Sequence, residues 1–428
     1  MAKRILVAFL IVALALPVFT IVAPTSAQED ITLRWRTRPD NQAEIDVYQT
    51  ASNEIDAAWD GVALQYEPGG SETASYQDVL ITELTAGTAP DVFWIPGTDV
   101  ARFAKLGLIM NLAEMAAADE TYSEDAFYPQ QMQHLTYSLD GEPALWGLPR
   151  DASAFVIFYN ADLFDEAGLD YPDQVENWDW EAFKSAALEI DALGDEIKGF
   201  GMNAWWANYG YFINAAGSSF FNEDYTACGL NNEATVEALT FLQELYTSGA
   251  AVPWGEDSEP PFLAGNVGMF FNGRWATPGV VANAQFNWNV AELPVGPAGP
   301  SNWLFWGAYV VNANTQHPQE AWELVTKLTS AEIQSKIAAL GTNIPSRAYS
   351  DQSAVDAFLA TFDGAINNQA WINGLSYGVA EAPLWNGDWP QIDQAYYNGV
   401  TKVLNGEMTP EDFAATICQE ADLYFETE

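Results

Sequence analysis

The chain has 428 residues, 49% of them apolar, which is enough for roughly two domains that each bury a core of their own. Its 59 acidic and 15 basic side chains leave a formal charge of -44, which argues against nucleic acid or an anionic membrane surface as partner, since both require a basic footprint. The excess acid reads as a solvated surface.

At the start, Lys3 and Arg4 precede an apolar run over 5–19, and Thr25, Ser26 and Ala27 close the segment. This is the three-part layout of a cleavable secretory signal, so 1–27 are set apart from the fold and the protein is expected to be exported, to the periplasm or the outer face of the cytoplasmic membrane. No cysteine follows the apolar run, so a lipid-attachment cysteine is absent and a soluble mature protein is expected.

Residues 31–35 and 62–66 read as short strands with a helix over 41–59 between them. Tyr76, Val79, Leu80 and Leu84 share a helical face, Gly87 supplies a stop, and 92–95 reads as the buried strand that follows. Asp179 caps a predicted helix whose Trp180, Phe183, Ala187 and Ile190 face inward, with Gly194 past its end. Pro318 opens another that carries Ala321, Leu324, Val325 and Leu328 at helical spacing. Thr329 and Glu332 suggest a capping box for a further helix that Gly341 ends. The alternation of strand-like and helix-like segments predicts an α/β architecture, with two domains joined by short crossovers because no long linker or repeat is present.

Catalytic motifs are scarce. The two histidines, His134 and His317, lie far apart, and no CxxC, GxSxG, P-loop or strand-borne GxGxxG occurs, so no cofactor or metal is expected. Nothing singles out a carboxylate pair for glycoside hydrolysis. Cys228 and Cys418 belong to an exported chain in which a disulfide persists once formed, but spacing alone leaves their pairing open.

The aromatic content stands out: 17 Trp, 18 Tyr and 23 Phe. Many tryptophans sit in Gly-, Asn- or Pro-containing segments, at 203–208, 273–275, 302–307 and 385–389, which read as loops. A sugar ring stacks its C–H face on an aromatic plane while Asp, Asn and Arg satisfy its hydroxyl edge. Any single Trp is better read as a core or wedge residue, whereas the set points to at least three in ligand contact.

The segment 84–94, LTAGTAPDVFW, resembles the "aaGtaPDVf" signature of the extracellular solute-binding proteins of ABC importers, in the large sugar-binding, maltose-binding-protein-like group. Phe158-Tyr159-Asn160 through Leu169 resembles "yYNkdlFkkaGl", Asn177-Trp178-Asp179-Trp180-Glu181 resembles "TWdEl", 262–275 resembles "F..GkaAM...G.W", and 308–328 matches the stretch after it, all in family order. The resemblance implies a periplasmic-binding-protein-like fold of type II: two α/β lobes with a ligand cleft between them. Lobe one would take 28–152 plus 309–350 and lobe two 153–308 plus 351–428. It further implies a monomeric, non-catalytic carrier that captures a small carbohydrate and hands it to membrane permease subunits.

Carried over residue by residue, the resemblance places Trp94, Gly97 and Thr98 at the cleft, and Asp151 as the leading hydroxyl acceptor. Trp205 or Trp206, Trp275, Trp306 with Gly307, and Trp385 or Trp389 would be platforms. Arg36, Arg38 and Arg347 fall near the pocket by the same analogy, although a salt bridge to one of the many acids is the favoured fate of each. The readings set against a sugar carrier are a secreted carbohydrate-active enzyme and a binding protein for a non-sugar solute, whose cleft would be dominated by carboxylates and arginines.

Overall fold

The computed structural model describes residues 31–39, 42–70 and 73–426. The predicted export signal at 1–27 lies outside the described residues. Eleven strands are present among them: β1 Ile31–Thr37, β2 Val62–Pro68, β3 Val92–Pro96, β4 Leu148–Ser153, β5 Phe155–Asn160, β6 Lys198–Met202, β7 Val267–Gly273, β8 Trp288–Ala291, β9 Asn302–Val311, β10 Ile344–Pro345 and β11 Gly378–Ala380.

They form two sheets. The larger runs β10-β4-β9-β3-β1-β2 with β11 paired to β9, and the smaller runs β6-β7-β5-β8. In the larger sheet β1 is parallel to β2 and β3, as expected of strands joined through the helices Gln42–Ala57 and Thr73–Ala86, while β9 runs antiparallel to β3 and β4. Helices cover both sheets, and the buried apolar side chains form two cores: one joins the larger sheet to Val156, Phe158 and Phe270 of the smaller, and the other joins the smaller sheet's Phe155, Ile157 and Phe271 to Trp303 and Phe305 of β9. No described helix is long and apolar enough to cross a membrane.

The helix predictions hold with small shifts, except that Val79 faces out while Tyr76, Leu80 and Leu84 are buried. Asp179 accepts the Ala182 N–H at the start of Trp180–Asp191, which buries Trp180, Phe183, Ala187 and Ile190. Pro318–Leu328 buries the predicted stripe together with Trp322. The capping box is a correction: Ser330, not Thr329, caps Ala331–Ala338 by accepting from Ile333, because Thr329 is the C-cap of the preceding helix, its hydroxyl turned back to the Val325 carbonyl.

A second correction concerns 302–307, read as a loop but forming most of β9. All ten residues of this strand are buried, so both of its faces are apolar and no alternation marks it. The boundary expected between 308 and 309 falls inside β9, which lies in the larger sheet along its whole length, as does β11. Asn302 ties the passage from β4 to β5 against this strand, accepting from the Phe155 N–H and donating to the Phe155 carbonyl, both at 2.9 Å. Cys228 and Cys418 form a disulfide that fastens the segment after Phe221 to the helix Pro410–Ala421.

Candidate functional site: an aromatic cleft beside a charged floor

The end of β3 runs Trp94-Ile95-Pro96-Gly97 and lies against β9, where Pro96 is paired with Gly307. Two glycines make this approach possible. A Cβ on Gly307 would stand 2.1 Å from Trp94 Nε1, and one on Gly97 would stand 2.4 Å from Trp306 Cε2, so each indole lies across a position where only glycine leaves room. Trp94 and Trp306 are both buried, and the Trp94 Nε1–H has no partner.

Charged and aromatic groups pack on this pair. Arg38 and Arg150 each place a guanidinium over the Trp94 ring, at 4.9 and 4.6 Å from its centre. Arg150 also forks onto one oxygen of Asp151, at 2.9 and 2.6 Å. Trp306 donates Nε1–H to the Glu381 carbonyl at 3.0 Å and stacks on His134 with the ring planes 6° apart. Burial lowers the His134 pKa to about 4, so the ring is neutral at pH 7, and Tyr225 meets it edge-on.

A narrow cleft lies alongside. Trp206 opens the helix Trp206–Ala215 and Trp389 opens Trp389–Leu404; their rings meet at 88° and form one wall with Phe220, Phe221, Tyr225 and Trp303. Thr98 reaches in from the β3 side, and Val379, Ala380 and Ala382 come from the segment around β11. The lining holds no charged side chain. Its polar groups are Thr98, Asn214, Ser219 and Tyr225, and the Asn214 Nδ2 is buried without a partner. Such a wall offers apolar faces with a few neutral hydrogen-bonding groups.

Trp94, Gly97, Thr98, Trp206, Trp306, Gly307, Trp389, Arg38 and Asp151 are thus brought together around this cleft. Asp151 is not free: its carboxylate is held by Arg150. Four other candidates lie elsewhere. Arg36 is locked between Glu67 at 2.8 Å and Glu83 at 2.6 Å. Arg347 donates to the Thr329 carbonyl and lies over Phe127. Trp275 packs edge-on against Phe305 and Phe155, where the bare Gly273 leaves it room. Trp385 is buried and stacks on Tyr137 at 4.5 Å. Trp205 stands behind Trp206, stacked on Phe305.

Four residues that sequence reasoning did not assign to the site lie beside this cleft: His134, Arg150, Tyr225 and Glu381. Arg150 was legible only as the neighbour of Asp151. Tyr225 depends on a segment shaped by the disulfide, and nothing local marks Glu381. No group of three or more His, Cys, Asp or Glu among the described residues is arranged to hold a metal.

A family model described as "Bacterial extracellular solute-binding protein" matches residues 43–335. A binding protein of Brucella abortus is 26% identical over 358 residues, covering 80% of this chain and 81% of its own. The galactooligosaccharide-binding protein of Bacillus subtilis is 27% identical over 257 residues, 57% of each chain. Among solved structures, an ABC substrate-binding protein of Listeria monocytogenes in complex with cycloalternan superposes with a TM-score of 0.81 at 22% identity, covering 92% of this chain and 98% of its own.

Proposed function

Because the chain belongs to the bacterial extracellular solute-binding proteins, we propose that it is the capture component of an ABC importer, binding a mono- or oligosaccharide outside the cytoplasmic membrane and delivering it to the permease without altering it. The observation that carries this reading is the cavity where Trp206, Trp389 and Tyr225 face Thr98 across the cleft. Perpendicular indoles offer a stacking plane and an edge to a pyranose ring, and the absence of charge on the wall favours a neutral solute over an amino acid or peptide. The name of the Bacillus relative and the ligand in the Listeria complex support the same substrate class.

Trp94, Gly97, Thr98, Trp206, Trp306, Gly307 and Trp389 are assigned to the binding cleft. The groups around the two sheets act as lobes that close on the sugar as a monomer. Closure buries the ring faces and leaves the hydroxyl edge to Asn214, Ser219 and the floor of the cleft.

Tryptophan fluorescence, titrated with maltotriose, galactooligosaccharides and monosaccharides, tests the reading. A saturable change with one sugar group is expected, weakened by about 1–3 kcal/mol in Trp206→Ala. Silence across the sugars, with saturation by amino acids or polyamines, overturns the carbohydrate assignment. Cleavage of the added oligosaccharide, lost on changing one acid to its amide, overturns the carrier role.

A further inference from the structure

Beside the neutral wall lies a set of charged groups to which sugar stacking gives no task. Ala380 and Ala382 line the cavity, and Glu381 between them is only 6% exposed. Its backbone is anchored twice: its N–H donates to the Leu304 carbonyl, and its carbonyl accepts from Trp306 Nε1. Its carboxyl is within reach of the Trp306 backbone N–H and lies in the field of Asp99, Asp151 and Arg38. Two donors in the same floor have no partner at all, Trp94 Nε1–H and Arg38 Nε–H.

Buried polar groups are normally satisfied, so two orphan donors beside a buried carboxyl define what is missing. The absent partner must accept from nitrogen and donate to the carboxyl. Neighbouring hydroxyls on one sugar ring do both. An anionic solute would meet Arg38 but also Asp99, Asp151 and Glu381, and a cationic one would meet two guanidiniums.

Resting on the carbohydrate reading, we propose that Glu381 reads the solute: it accepts a hydrogen bond from one ligand hydroxyl while the adjacent oxygen takes the Trp94 and Arg38 N–H groups, so that binding expels the Glu381 proton to solvent. Burial raises the Glu381 pKa to about 8, with the Trp306 N–H pulling the other way, so in the empty cleft at pH 6 the carboxyl is protonated. The ionisable groups acting on it are Arg38 after β1, Asp99 after β3 and Asp151 on β4; at one remove, Arg150 holds Asp151 and His134, on the helix Pro129–Leu135 that packs near β11, stacks on Trp306. Arg150 stays charged and holds Asp151, His134 titrates near 4, and burial also raises Asp99, which accepts from Gln77.

A ligand that prefers the ionised form binds more tightly as pH rises towards the pKa of the empty site. Affinity should therefore climb between pH 6 and 8, by up to about 10-fold per unit, and level off above it. Titration calorimetry with maltotriose and with galactooligosaccharides, across that range and in two buffers of different ionisation enthalpy, reads both the slope and the released proton. Glu381→Gln is expected to bind more weakly at pH 8, with no slope and no proton release. Its melting temperature at pH 5, where it mimics the protonated acid, checks its folding, and the buffer comparison on the unaltered protein decides the matter alone if the variant does not fold. Sugar binding with no proton released, or with the same slope in both proteins, overturns the role of Glu381 and leaves the carrier reading standing. Silence of both sugars at every pH overturns the carbohydrate reading and this assignment with it.

Discussion

Gly307 and Gly97 show how much of the cleft depends on atoms that are missing. A methyl group on Gly307 would coincide with the Trp94 indole, whose displacement would move the Arg38 and Arg150 guanidiniums stacked on it. Gly307→Ala is therefore expected to weaken sugar binding by at least about 10-fold, roughly the loss of one well-placed aromatic contact, as fluorescence titration would show. Asp393, on the helix Trp389–Leu404, illustrates a residue that works against the fold: burial raises its pKa to about 6, and its Oδ1 has no partner. A carboxyl raised in the folded state supports stability below its unfolded pKa of about 4 and loses that support as pH climbs through the folded value. Asp393→Asn should match the parent near pH 4 and exceed it at pH 7–8 by about 1 kcal/mol, read from calorimetric melting at the two pH values. At this scale the sequence carried part of the answer: Trp94 and Gly97 are marked by their place after the PDV motif. It also carried Arg36 in part: a salt bridge to an acid was its favoured fate, but its partners Glu67 and Glu83 come from other elements and only the fold names them.

Among elements, the segment from Phe221 to Cys228 depends most on a distant partner. It holds Tyr225 with φ 55°, in the left-handed region, and the Asn222 side chain closes the turn by accepting from the Thr226 and Ala227 N–H groups. The disulfide to Cys418 and the bond from Cys228 N–H to Asp422 fasten it at its far end. Reduction, or Cys228→Ser with Cys418→Ser, is expected to lower stability by about 2–5 kcal/mol in urea unfolding, and to weaken sugar binding by releasing Tyr225 from His134. Amphipathic helices such as Pro318–Leu328 were legible because a 3.6-residue period survives in a one-sided element. β9 was not: its two faces are both buried, so Asn302, Gly307 and three aromatic residues looked like a loop.

For the molecule as a whole, a charge of -44 leaves most acids without a cation to pair with, and compaction brings them together. Raising sodium chloride from about 10 mM to about 0.3 M shortens the screening length from about 30 Å to under 10 Å, so the melting temperature should rise with salt before it levels. A fall over that range would mean that ion pairs such as Lys105–Glu426 outweigh the repulsion. By itself the sequence determined the α/β class, the places of five of its helices, and, through five motifs in order, the family. Those properties are written in local spacing, which neighbouring residues read without the rest of the chain. The tertiary structure alone decided which arginine is tied up, which tryptophans line the cleft, and that Glu381 belongs there. Each of those outcomes depends on contacts between distant parts of the chain, as when Trp306 meets Glu381 across 75 residues, and such pairings follow from how the sheets and helices stack rather than from any local pattern.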